Sequence, residues 1–253
     1  MALRKVGIKM RVALFVTCLA DQLFPELGVA SVKLLRHLGV DVEFPEGQTC
    51  CGQPAYNAGY LAETKEIAEH HIGLFKDYDY VVLPSGSCGA MVKTHYPEMF
   101  RESAKTYGES KDLANRTYEL TSFITEVLDK KDIGANLTDK RVSYHDSCHA
   151  LRYMNIKESP RILLRAAGAE IIEASNSEVC CGFGGLFSVK MPEISAAMAR
   201  AKTEGVIETK ADILTSVDGA CLMNIAGSMR RENVNLEVKH VVELLWEGVQ
   251  NGN

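Results

Sequence analysis

The sequence predicts an α/β protein of two duplicated halves, each with parallel strands and crossover helices, the halves related by a pseudo two-fold. Three observations lead there. Cys18, Cys50 and Cys51 recur as Cys148, Cys180 and Cys181, each 130 positions later. Short apolar runs alternate with longer segments of helical period, in the same order in both halves. The 253 residues suffice for two units of ordinary size, expected at 11–130 and 140–248.

"RVALFVTC" reads as the first strand on its run of Val and Phe. "ELGVASVKLLRHLG" reads as a helix with Val32, Leu35 and Leu38 on one face and Gly39 as its stop. "VDVEF" follows as a second strand. Beyond the CCG turn, "YLAETKEIAEHHIGLFKDY" is a helix offering Leu61, Ile67, Ile72 and Leu74 for burial, and "YVVLPSGSC" a third strand. The second half repeats the order with "RVSYHDSC", "SPRILLRAAG", "AEIIEA", "MPEISAAMARAKTEGVIET" and "ADILTSVDGAC", with Pro160 and Pro192 suited to first helical turns. Parallel strands bring their carboxyl ends to one edge, where open α/β folds place ligands. All eight cysteines follow such ends: Cys18, Cys50, Cys51 and Cys88 in one half, Cys148, Cys180, Cys181 and Cys221 in the other.

A net charge of −5 with mixed signs gives no basic stripe, which argues against nucleic acid as a partner. The start, "MALRKVGIKMRVALFVTCLA", imitates a signal peptide with Arg4, Lys5, Lys9 and Arg11 ahead of an apolar run. Cleavage near residue 20 would delete Cys18 and break the duplication, so the strand reading is preferred. With no run near the roughly 20 apolar residues of a membrane span, a cytoplasmic protein is expected, where cysteines signify metal or redox chemistry more than disulfides.

Adjacent cysteines such as Cys50 and Cys51 are too constrained to join each other readily. A set of four cysteines suits tetrahedral zinc, but structural zinc sites usually draw on C-x2-4-C knuckles, and neither half has one. In an iron-sulfur cluster neighbouring thiolates can each take a different iron, so a cluster is favoured and zinc is the competing reading. Gly52, Gly182, Gly184 and Gly185, with Gly86 and Gly89 around Cys88, would let backbone N–H groups approach a negatively charged cluster.

The two CCG segments, each 31 residues after a lone cysteine, resemble the cysteine-rich CCG domain of the heterodisulfide reductase B subunit. More closely, "FVTCLAD", "CCGQPAYNAGY", "SGSC", "ELTSFI", "CCGFGGLFSVKMPEIS" and "CLMNIAG" resemble the lactate-utilisation protein A family, iron-sulfur proteins of bacterial L-lactate oxidation. The resemblance implies a 4Fe-4S cluster per quartet, two per chain, and as partners a ferredoxin-motif iron-sulfur subunit and a further lactate-utilisation subunit. It implies a role in oxidising lactate, a small carboxylate, to pyruvate. The alternatives are an electron-transfer module of a glycolate or succinate dehydrogenase and a zinc-stabilised interaction protein. The heterodisulfide reductase pattern ends each half in CxxC, whereas here "CGAM" and "CLMN" put Met91 and Asn224 at the last position. Five-thiolate ligation within one half is thereby excluded, and cubane and noncubane forms both stay open.

"SYHDSCHALR" surrounds Cys148 with His145, Asp146, His149 and Arg152, where the first half has only "LFVTCLADQ". One half is therefore the candidate for added chemistry. His145 or His149 would move a proton near neutral pH, Asp146 would orient a histidine, and Arg152 or Lys190 would hold a carboxylate. An under-coordinated iron beside Met91 or Asn224 would bind the substrate hydroxyl. His70, His71, His95 and His240 receive no role, and no dinucleotide fingerprint or P-loop is present.

Overall fold

The computed structural model describes residues 10–252, so the basic run Arg4 to Lys9 of the signal-like start lies outside the described residues. The first half contains β1 (Val12–Leu14), β2 (Val42–Glu43), β3 (Tyr80–Leu83) and β4 (Thr117–Glu119), all parallel, in the order β2-β1-β3-β4. The second contains β5 (Arg141–Tyr144), β6 (Glu170–Ile171), β7 (Ile213–Ser216) and β8 (Glu237–His240), also parallel, in the order β6-β5-β7-β8. The same order in both sheets is the duplication expressed in three dimensions. Val12 is in register with Tyr80, and Val142, 130 positions on, with Ile213.

The expected helices form at Pro25–His37, Leu61–Phe75, Glu158–Ala166 and Pro192–Glu208. Gly39 stops the first of them in the left-handed conformation that glycine tolerates. The burial expected for Leu61–Phe75 needs correction. Leu61 is exposed, and the face that packs is Thr64, Ala68, His71, Ile72 and Phe75.

The halves exchange contacts reciprocally. Helix Pro25–His37 packs on the C-terminal helix Val241–Gly252, while Glu158–Ala166 packs on Leu120–Ser122. One apolar core runs through both, joining Leu14, Leu34 and Leu35 to Val142, Leu163 and Leu244. At the pseudo-axis Ser85 and Asp218, which each precede a cysteine by three residues, form an antiparallel bridge. Asp218 also accepts from the Ser87 amide at 2.7 Å. Gly86 and Gly89 serve this interface, a correction to their reading as cluster-facing glycines. A Cβ on Gly86 would lie 2.5 Å from that of Ala150, and one on Gly89 2.5 Å from the Met154 sulfur.

Each half carries a fourth strand beyond the three read from the sequence. "TYE" and "EVKH" are short and polar, and only backbone pairing with β3 and β7 makes them strands. Both end in a buried side chain that caps the next helix. Glu119 accepts from the Thr121 amide at 2.9 Å, and His240 Nδ1 from the Val242 amide at 3.2 Å. Burial pushes the Glu119 carboxyl up to about 7 from its ordinary 4.5. The folded state thus holds a proton that the unfolded chain has released, and stability should fall as pH rises from about 4.5 through 7. Glu119→Gln should flatten that limb in urea denaturation run across the same range, and an unchanged slope would count against a buried proton on Glu119.

Candidate metal centre

Cys18 and Cys148 open the short helices that follow β1 and β5, Cys88 and Cys221 lie in the first turns after β3 and β7, and the vicinal pairs sit in the loops after β2 and β6. The CCG turn needs glycine third, because Gly52 and Gly182 both have φ of 84°. A Cβ on Gly182 would also lie 2.8 Å from the Ser195 carbonyl oxygen.

Within each half the thiols meet in a chain. Cys18 contacts Cys50, Cys50 contacts Cys51, and Cys51 Sγ lies 3.3 Å from Cys88 Sγ. Cys148, Cys180, Cys181 and Cys221 repeat the sequence of contacts. Hydrogen bonds donated by neighbouring thiols push Cys50 and Cys180 down, while Cys18, Cys51, Cys148 and Cys181, which donate those bonds, are pushed up. Four sulfurs this close cannot all ionise without a cation to offset their mutual repulsion. Backbone amides add to the field: Gly182 N–H donates to Cys180 Sγ at 3.4 Å, and Gly52 does the same for Cys50. Both quartets open onto a single cavity of about 250 Å³ between the halves, lined by all eight cysteines.

The carbonyl of each second cysteine is pinned from behind. Tyr96 donates its hydroxyl to the Cys51 carbonyl at 2.9 Å, and His71 Nδ1 lies 2.8 Å from the same hydroxyl. Since Tyr96 has one proton to give, His71 must donate at Nδ1. Burial lowers His71 to about 4, so the ring is neutral. In the second half Asn224 Nδ2 donates to the Cys181 carbonyl at 2.9 Å. Met91 is fully buried in the apolar cluster around Phe15 and Tyr96. Met91 and Asn224 therefore support the CCG turn and its core from outside the cavity lining, and neither side chain is placed as a ligand there.

The polar set around Cys148 is distributed differently from expectation. Asp146 orients no histidine. Its carboxylate is held by the Arg161 guanidinium through two 2.8 Å bonds, with both side chains buried. Arg161 also binds Glu173 at 2.7 Å and lies 4.4 Å from the centre of the Tyr144 ring. His145 is 1% exposed, and burial together with the nearby Lys202 lowers it to about 3. His149 does line the cavity, with Nδ1 3.5 Å from Cys148 Sγ and its ring stacked on Tyr153. Arg152 and Lys190 are exposed and lie outside the lining, so neither is placed to hold a carboxylate there. Sequence reasoning passed over Arg161, His71 and Lys202, charged or polar residues in helices whose burial no periodicity announced. His71 and Lys202 take similar places, each on the long helix beyond a CCG turn.

Two cysteine quartets at the carboxyl edges of two matched parallel sheets define a duplicated cysteine-rich metal-centre protein. The family model described as the CCG cysteine-rich domain matches residues 12–93 and again 142–226. Lactate utilization protein A 1 of Bacillus anthracis (strain CDC 684 / NRRL 3495) is 46% identical over 241 residues, which cover 95% of this chain and 99% of that protein. Lactate utilization protein A 1 of Bacillus mycoides (strain KBAB4) is 46% identical over 245 residues, 96% of this chain and 99% of its own length. The chain belongs to the lactate utilization protein A family, within the CCG cysteine-rich-domain proteins. Among the described residues no helix is long and apolar enough to cross a membrane.

Proposed function

We propose that this chain is the electron-carrying iron-sulfur subunit of a bacterial L-lactate oxidation complex, with one 4Fe-4S cluster held by each cysteine quartet. The observation that carries the reading is the convergence of four thiols per half, with amide donors behind them, onto one cavity whose lining, among the described residues, includes no arginine or lysine. The donor set fits the cofactor: soft thiolates suit iron-sulfur clusters, and a cluster's positive irons relieve the repulsion that prevents four contacting thiols from ionising together. When bound, such a cluster supplies a one-electron acceptor. The chain's own residues hold the ligands, direct amides at the sulfurs and keep the site partly dry under Leu27, Phe24 and Phe183.

A cavity without a cation is poorly equipped to bind a carboxylate. Removal of the lactate hydrogens is accordingly assigned to a partner subunit, with a ferredoxin-motif subunit and a further lactate-utilisation subunit as the proposed company. The names of the relatives support lactate as the reductant. Protein purified without oxygen should contain about eight irons and as many acid-labile sulfides per chain, the content of two four-iron clusters. Mixed with its partner subunits, it should be reduced by L-lactate. Zinc without sulfide would overturn the cofactor. Reduction by glycolate or succinate but not by lactate would overturn the substrate.

A further inference from the structure

The first and second quartets are not chemically equivalent, and the difference lies one residue beyond β1 and β5. Position 15 is Phe, packed against the rings of His71 and Phe75; position 145, at the same offset of 130 as the cysteines, is His. The His145 ring is buried, and neither of its nitrogens has a hydrogen-bond partner in the protein. Leaving such a group unpaired is costly, so a buried imidazole of this kind calls for a partner. One ring nitrogen, Cys181 Sγ and Cys221 Sγ all lie within 4.8 Å of one another, a spacing that a single bound metal atom can bridge after small side-chain rotations.

We propose that His145 is a nitrogen ligand of the second metal centre, beside Cys181 and Cys221, so that this half offers a mixed Cys/His donor set while the first half offers thiolates alone. The proposal rests on the reading that the quartets hold metal. A neutral ring nitrogen is a strong donor to iron or zinc. The neighbouring cation does not compete for the ring, because Lys202 is occupied by the Asn176 and Ser177 carbonyls. Asn224, at the position where a CxxC pattern would place a further thiolate, is turned to the Cys181 carbonyl. The donor that takes the place of a thiolate at one iron therefore comes from the strand side, through His145.

Imidazole in place of thiolate raises the potential of an iron-sulfur centre, as in Rieske proteins. The second centre should thus be reduced before the first, and a redox titration should resolve two waves. The direct test uses anaerobically purified protein labelled with 15N-histidine. Pulsed electron paramagnetic resonance of the partly reduced protein should show a strongly coupled nitrogen that changes with the label. It should vanish in His145→Phe, which copies the first half. His145→Cys should retain metal, show no such nitrogen and move the upper wave downward. Absorption at the metal edge should find a nitrogen scatterer at about 2.0–2.1 Å. That measurement reads zinc as well as iron, so zinc with a nitrogen ligand would uphold His145 while sinking the cluster. Iron in the second half with only weakly coupled nitrogen, or an unlabelled spectrum identical to the labelled one, would overturn the proposal with the cluster reading intact. A second half that binds no metal at all would overturn both.

Discussion

Cys51→Ser and Cys181→Ser should each remove roughly half of the iron and sulfide from anaerobically purified protein, and the double variant nearly all of it. The thiols meet only within their own half: Cys51 contacts Cys50 and Cys88, and Cys181 contacts Cys180 and Cys221. A serine hydroxyl is a harder donor than thiolate and a poor substitute at iron. Because Cys51 and Cys181 are the most buried members of their quartets, solvent cannot readily fill the lost position. Iron, sulfide and visible absorbance per chain provide the measurement. Loss of all iron in either single variant would indicate one cluster shared across the common cavity, and no loss in a variant would remove that cysteine from the ligand set.

The largest effect on stability should come from Arg161→Leu, at about 3–5 kcal/mol, the usual cost of stripping one partner from a buried ion pair. Asp146 is fully buried, and its two bonds to Arg161 are the ion pair that compensates its charge. Removing the guanidinium also takes the cation from the face of Tyr144. The double variant Asp146→Leu with Arg161→Leu should recover much of the loss, since an apolar pair leaves no orphaned charge. Urea denaturation of the two variants and the parent measures both quantities. A penalty below about 1 kcal/mol for Arg161→Leu would show that solvent reaches Asp146 once the guanidinium is gone. Asp146 stands between His145 and Ser147 at the end of β5, so metal should be lost from the second centre before global unfolding, while the first centre keeps its own.

Much of this site was legible in the sequence because it is written in covalent spacing. The 130-residue offset of the two cysteine trios, the CCG turns and the alternation of apolar runs with helical segments required two matched parallel sheets with their cysteines at one edge. β4 and β8 escaped because "TYE" and "EVKH" have neither apolar alternation nor length, and their pairing depends on β3 and β7 being already in place. Gly86 and Gly89 looked like cluster-facing glycines for a related reason. The demand on them is steric and comes from Ala150 and Met154 across the pseudo-axis, in the other half of the chain.

The sequence by itself determined where the eight cysteines stand and that they come in two equal groups, since strand-end placement follows from residue type and local period. Only the tertiary structure decided what the neighbouring polar residues do, because burial and partner choice are properties of packing between distant segments. Arg161, beyond Cys148 and on a separate helix, captured Asp146. The fold left Arg152 and Lys190 in solvent and turned Asn224 onto the CCG backbone. It also enclosed His145 against two cysteines, with neither ring nitrogen paired within the protein.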